Sequence, residues 1–267
     1  MSFVERYGPW AMVAGASEGT GRAFARKIAS SGVPCLLIAR REGPLTALAE
    51  EIRSESGLVC ATAAIDLTSP EAPGQIIAAV GDREVGLFVS NAGADTHGAR
   101  FLERDLDVWL DHVRLNVVTT LSCCHHFGKL MRARGKGGLL LVNSGACYGG
   151  ASFMATYSAA KAFVLNFGES LWAELRPHGV DVLNLMLGRT DTPAFRALLA
   201  EKGLPVPPGL AAPDEVAAVG LARLAQGPVY NWGLDDDVAG YAPSSAATRR
   251  SRILAIDVAT QQIYGKR

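Results

Sequence analysis

Six short apolar runs punctuate this 267-residue chain: PWAMVA (9–14), VPCLLIA (33–39), LVCATAAI (58–65), VGLFVS (85–90), GLLLVN (138–143) and VDVLNLML (180–187). They are continuously apolar rather than alternating, the pattern of strands buried on both faces of a sheet. Helical patterns separate them. Phe24 and Ile28 share a face over 22–31, and Leu45, Leu48 and Ile52 repeat at i, i+3, i+7. Ser69-Pro70-Glu71 reads as a helix start, and long helices are predicted over about 106–134 and 154–176. Strands alternating with helices over short links require right-handed crossovers, so the predicted class is α/β with a doubly wound parallel sheet.

The alternation stops after about residue 190. The Pro- and Gly-rich stretch that follows carries an apolar patch of Phe195, Leu198 and Leu199, so 190–212 is predicted to be a mobile lid. Residues 228–267 read as a C-terminal extension. No linker, repeat or low-complexity stretch divides the chain, which implies a single domain over 1–267. The 26 basic and 26 acidic residues cancel, which removes any electrostatic case for nucleic acid or an anionic membrane. Arg249, Arg250 and Arg252 read as one solvated helix face. No apolar run approaches the ~20 residues of a membrane span, and the first strand starts too early to leave room for a signal peptide. The five cysteines have no metal spacing, and His125-His126 are adjacent rather than four apart. No metal site and a reducing, cytoplasmic setting are expected.

The octet AGASEGTG (14–21) follows the first strand and opens a helix. Gly15-Ala16-Ser17-Glu18-Gly19 fits the Gly-x-Ser-x-Gly elbow of a hydrolase, with Ser17 as nucleophile. Gly15, Gly19 and Gly21 equally fit a turn that wraps a dinucleotide pyrophosphate, the mark of a Rossmann-type fold. An elbow normally follows a central strand and needs a downstream acid and histidine. His97, His112, His125 and His126 lie inside or before the long helices, and His178 lies at the wrong end of a strand. The cofactor turn is the better reading, and Ser17 becomes a loop hydroxyl.

Further stations follow in order: Asp66-Leu67, Asn91-Ala92-Gly93, Asn116, Ser144, Tyr157-x-x-x-Lys161, and Gly188 to Thr192. With the glycine turn, these stations resemble the short-chain dehydrogenase/reductase superfamily over about residues 9–225. The resemblance implies an enzyme in which Tyr157 exchanges a proton with a ketone or alcohol oxygen. An unperturbed tyrosine titrates near ~10, and the Lys161 ammonium four residues on would stabilise its phenolate. The resemblance further implies that Ser144 bonds the substrate oxygen, that Asn116 kinks its helix and binds a water leading to Lys161, and that the hydride chemistry belongs to a nicotinamide.

The implied cofactor contacts are Gly15, Ser17, Glu18, Gly19, Thr20, Gly21, Arg40, Arg41, Asp66, Leu67, Asn91, Ala92, Gly93, Tyr157, Lys161, Gly188, Thr190 and Thr192. Asn91 also reads as a brace between central strand ends. Ala146, Cys147, Tyr148 and Phe195 are the substrate-side candidates, with loop filling as the other reading of Cys147 and Tyr148. An NAD enzyme would carry an acid at the end of the second strand. Ala39 stands there, followed by Arg40 and Arg41, which favours NADP(H). Glu18 departs from the basic residue that many NADP members carry before the second glycine.

Three stretches, YGPWAMVAGASEGTGRAF, ARREGPLTALAEEIR and LNVVTTLSCCHH, are similar to bacterial NADP-dependent hydroxysteroid dehydrogenases. The implied substrate is a bulky apolar ketone or secondary alcohol. VYNWGLDDD stands where fatty-acid ketoacyl reductases end differently, which argues against that role. The alternatives are a reductase of another carbonyl class and a catalytically silent NADP-sensing protein. Silent relatives typically lose the Tyr or the Lys, and both are here. Members of the superfamily pair their long helices across a two-fold axis, so a homodimer or homotetramer is expected.

Overall fold

The computed structural model describes residues 1–94 and 98–232, with Val258, Gln262 and Ile263 beyond them. Among these residues seven strands form one sheet: β1 (Trp10–Ala14), β2 (Cys35–Ala39), β3 (Ala61–Ala64), β4 (Val85–Ser90), β5 (Gly137–Ser144), β6 (Val180–Leu187) and β7 (Val229–Trp232). The order is β3-β2-β1-β4-β5-β6-β7, and every pairing is parallel. All residues of β2 and β4 are buried, which is why those runs carry no polar alternation.

Within residues 1–232 the described α-helices are α1 (Phe3–Tyr7), α2 (Gly19–Ser30), α3 (Glu42–Ser56), α4 (Ala72–Val80), α5 (Leu106–Val113), α6 (Thr119–Arg134), α7 (Ala155–Leu175), α8 (Pro193–Glu201) and α9 (Pro213–Arg223). Successive strand residues point to opposite faces, and the core divides accordingly. Ala11 and Val13 of β1 join Phe24 and Ile28 of α2, Leu45 and Leu48 of α3, and Val216 of α9. Met12 and Ala14 join Ile76 of α4, Phe127 of α6 and Val164 of α7. Asn184 is the polar residue at the buried centre of β6. It is fully buried, and its amide donates to the Leu165 carbonyl at 3.3 Å under the glycine of α7, Gly168.

Three features depart from the sequence expectation. The predicted 106–134 helix is interrupted by a π-helical turn at Arg114–Val118, which leaves the apolar periodicity nearly intact and so does not announce itself. The third run contributes only four residues, alternately exposed, because β3 is an edge strand with one neighbour. Beyond residue 190 the alternation resumes with α9 and β7. All four residues of β7 are only partly buried, so this edge strand has no strong apolar signature. The predicted lid, 190–212, contains α8 and a bridge between Thr190 and Ala211. The predicted extension begins with β7, and Arg249, Arg250 and Arg252 lie outside the described residues, as does His97.

The chain's start is fastened far along the sequence. Ser2 and Glu5 form a reciprocal cap on α1. Arg6 then donates twice to Asp181 at the start of β6, both at 2.6 Å, and the Tyr7 hydroxyl adds a third bond at 2.8 Å.

Candidate active site

Helices leave β1 and β4 toward opposite faces of the sheet, which opens a crevice beyond the carboxyl ends of these neighbouring strands. Gly15 follows β1 with φ of 79°, and its N–H and that of Ala16 donate to the Ile38 carbonyl at 2.7 and 3.0 Å. Gly21, near the start of α2, lies so close to this turn that a Cβ there would sit 2.0 Å from the Gly15 oxygen. Asn91, just past β4, donates to the same Gly15 oxygen at 3.1 Å and accepts from the Thr20 hydroxyl at 2.8 Å. The Ala92 N–H donates to the Ala14 carbonyl at 2.9 Å. Asn91 therefore braces the central strand ends.

Across the crevice Gly188 follows β6, and the Thr192 hydroxyl caps α8 by accepting from the Phe195 N–H at 3.2 Å. The Thr192 methyl would lie 3.1 Å from a Cβ at Gly19. The glycine turn, Asn91 and Thr192 thus meet in one cradle beyond the strand ends. Ser17 lies in the turn between Gly15 and Gly19.

At the outer end β2 finishes in Ala39, and Arg40 follows, exposed. Arg41 is engaged by Glu18 at 2.7 Å. Asp66 accepts from the Thr68 N–H and hydroxyl at 3.0 and 2.8 Å. These bonds, with a smaller contribution from Arg40, hold its carboxyl below the ordinary range. Leu67 is buried, and its carbonyl accepts from the Thr119 hydroxyl at 3.1 Å.

The inner end gathers Tyr157, Lys161, Asn116 and Gly93. Lys161 is 5% exposed. Its Nζ donates to the Val142 carbonyl at 3.2 Å and stands 5.7 Å from the centre of the Tyr157 ring. Burial pushes the ammonium down to about 8, with the Cys147 thiol opposing. Asn116 sits at the centre of the π-helical turn, where Nδ2 donates to the His112 carbonyl at 3.0 Å. Its Oδ1 is buried with no hydrogen-bond partner among the described residues. A Cβ at Gly93 would fall 2.5 Å from that oxygen and 3.0 Å from Lys161 Nζ, so three chain segments meet where only a glycine backbone fits.

Ser144 ends β5, one residue past Asn143. Its Oγ accepts from the Ala146 N–H at 3.2 Å and so caps the short turn Gly145–Tyr148, which packs against α7. Of the substrate-side candidates, the Cys147 thiol points to Met186 Sδ at 3.8 Å, and the Tyr148 hydroxyl donates to Asn231 of β7 at 2.7 Å. Phe195 lies in the first turn of α8, half-buried.

Asn143 and Asn231 were not anticipated. Asn143 is buried, takes the Ser144 N–H at 2.8 Å and donates to the Lys161 carbonyl at 3.1 Å, so it buttons β5 to α7 at the lysine. An amide next to the last residue of an otherwise apolar strand was its visible signal.

The cradle and the buried Asn116 oxygen fit a nicotinamide dinucleotide, whose pyrophosphate a glycine turn at a helix N-terminus is suited to hold. Comparison with known proteins agrees. Residues 9–203 match the family described as short chain dehydrogenase. The chain is 32% identical over 195 residues to a 7β-hydroxysteroid dehydrogenase of Collinsella aerofaciens, covering 73% of this chain and 74% of the relative. It is 35% identical over 180 residues to a very-long-chain 3-oxoacyl-CoA reductase of Podospora anserina, covering 66% of this chain and 53% of that one. A structure solved for the stereoselectivity of 7β-hydroxysteroid dehydrogenase superposes with a TM-score of 0.87 at 27% identity, covering 96% of this chain and 99% of that one. Seven parallel strands, a glycine turn at their switch point and a Tyr–Lys pair beside it thus agree with the sequence match: this chain belongs to the short chain dehydrogenase family, oxidoreductases of the alcohol–ketone pair.

Proposed function

We propose that the protein is an NADP(H)-dependent oxidoreductase that interconverts a ketone and a secondary alcohol on a bulky apolar molecule such as a hydroxysteroid. The buried Lys161 ammonium beside the Tyr157 ring carries this reading. Its charge favours the phenolate, so Tyr157 hands a proton to the ketone oxygen or takes it from the alcohol. Ser144 holds the same oxygen by its hydroxyl. Asn116 offers its orphaned oxygen to a water that leads to Lys161. When bound, the nicotinamide supplies or accepts the hydride. The glycine turn, Asn91 and Thr192 hold the pyrophosphate, and Asp66 and Leu67 flank the adenine.

NADP(H) is preferred over NAD(H) because β2 ends in Ala39 rather than an acid, and Arg40 is exposed beside it to meet a 2′-phosphate. Arg41 is the lesser partner, since Glu18 already engages it. Arg40→Ala is expected to weaken NADPH by about 1.5–3 kcal/mol, the worth of a hydrogen bond to a charged group. NADH affinity should hold. Titration of both cofactors by fluorescence checks this, and equal wild-type affinities would refute the preference.

The substrate class rests on the hydroxysteroid dehydrogenase relatives, and the 3-oxoacyl-CoA reductase relative keeps a second carbonyl class in view. NADPH oxidation with a panel of steroid ketones and 3-oxoacyl thioesters separates the two. Tight NADPH binding with no turnover on any ketone would favour a silent sensor instead.

One domain, with 190–212 as a lid and the segment from 228 as an extension, completes the reading. The setting is cytoplasmic, and among the described residues no helix is long and apolar enough to cross a membrane. The protein assembles as a homodimer or homotetramer. The outer face of α7 supports this: Phe101, Val113, Val117, Ala159 and Phe163 line an apolar trough of about 420 Å³, and Phe163 is 40% exposed. Sedimentation should give a multiple of the 28.1 kDa chain mass at micromolar concentration. A monomer across that range would count against assembly.

A further inference from the structure

His112 is a buried histidine with no part in the proton exchange outlined above. It is 3% exposed and lies in the last turn of α5, directly before the π-helical turn. Three of its contacts converge on the candidate site. Its Nδ1 is 3.1 Å from the hydroxyl of Thr156, the residue before Tyr157. Its ring lies 5.9 Å from the Tyr157 ring, centre to centre, tilted by 31°. Its backbone carbonyl accepts the Asn116 amide at 3.0 Å. One residue therefore touches the neighbour of Tyr157, the ring of Tyr157 and the side chain of Asn116.

The need for such a clamp follows from local structure. Thr156 and Tyr157 lie in the first turn of α7, and Met154 before them makes no side-chain cap. An uncapped first turn leaves N–H groups without helical partners and frays readily. The π-helical turn on the facing element is likewise outside the regular helical ladder. A side-chain bond between α5 and α7 fixes both irregular segments against each other. An apolar residue at 112 could fill the volume but could not bond Thr156.

We propose that His112 is a positioning residue: its imidazole, bonded to Thr156, sets the placement of Tyr157, and its carbonyl sets that of Asn116. This rests on the reading of Tyr157 as the proton-exchanging group. Because proton transfer depends steeply on placement, loss of the Thr156 bond is expected to reduce kcat by about ten- to a hundred-fold, within the range that small misplacements produce. NADPH affinity should stay close to wild type.

The test compares His112→Phe, which keeps ring bulk without the bond, with His112→Asn, whose amide can place a nitrogen where Nδ1 lies. Thr156→Val removes the bond from the other side. Phe at 112 should lower kcat, Asn should recover most of it, and the double variant with Thr156→Val should be no worse than His112→Phe alone. In parallel, NMR titration of 13Cζ-labelled tyrosine, assigned by difference from Tyr157→Phe, should show the Tyr157 titration displaced in His112→Phe and restored in His112→Asn. The titration needs no substrate, so it separates failure of the clamp from failure of the oxidoreductase reading. Unchanged kcat and an unchanged Tyr157 titration in His112→Phe would overturn the assignment. Equal loss in the Phe and Asn variants, matched by equal loss of thermal stability, would reduce His112 to a packing residue and overturn it as well.

Discussion

Tyr157→Phe is expected to lower turnover on any accepted ketone by about 10²–10⁴, the usual worth of general acid–base catalysis. The ring and its bulk remain, so the neighbouring contacts survive and NADPH binding is retained. In the proposed reading the glycine turn, Arg40 and Lys161 carry most of the cofactor binding, so loss of the phenol hydroxyl should spare it. Lys161→Met is expected to harm both turnover and binding. The pH dependence has a definite sign. Burial holds the Lys161 ammonium at about 8, so it is charged below that pH and neutral above it. Ketone reduction needs the phenol made acidic by that charge, so kcat/KM for reduction should fall as pH rises through about 8. Alcohol oxidation needs the phenolate and should gain with pH instead. Steady-state rates of wild type and Tyr157→Phe between pH 6 and 10 check both statements. Near wild-type turnover in the Phe variant would mean that another group moves the proton.

Gly21→Ala is expected to cost about 3 kcal/mol or more, at or beyond the upper end for overpacking. The new methyl would sit 2.0 Å from the Gly15 oxygen and 2.6 Å from the Asn91 amide. The first of these is backbone, with no rotamer to swing aside. Relief would require moving the turn from the end of β1 or lifting α2 off the sheet, and either also spoils the cradle. A loss of that size lowers Tm by roughly 6–12 °C in a chain of this length, and NADPH affinity should fall with it. Gly43→Ala is the control. It lies in α3, and no atom stands within 4 Å of an added Cβ, so the same change there should be neutral or slightly stabilising. Differential scanning calorimetry of the two variants decides the matter, and equal Tm values would contradict the close approach.

How much of this was legible in the sequence depended on burial. Strands β1, β2, β4, β5 and β6 lie inside the sheet, and their residues carry that fact as unbroken apolar runs. Edge strands β3 and β7 have one neighbour and partial burial, so composition marks them weakly. Tyr157 and Lys161 were visible as a pair because four residues make one helical turn. Gly93, Asn116 and Lys161 lie far apart in sequence, and their meeting at one point could be expected only from a resemblance. The His112–Thr156 and Asn143–Lys161 bonds left no periodic trace. Such partners are chosen by tertiary packing, which single-sequence pattern does not encode. The π-helical turn was hidden for a related reason, because one widened turn barely disturbs the apolar spacing on either side.

The clasp between the first helix and the sixth strand has a consequence for synthesis. Arg6 and Tyr7 are made well before their partner, since Asp181 lies 175 residues after Arg6. At about 5–20 residues per second, this segment waits roughly 9–35 s before its partner exists. Five residues of helix, even with a reciprocal cap, are too few to persist alone in water. During that interval the segment lacks its partner on β6. Once β6 has entered the sheet, the three bonds to Asp181 withdraw it. A nascent chain halted before residue 181 leaves α1 undocked, so docking of this helix is a seal that closes only after most of the sheet has been delivered.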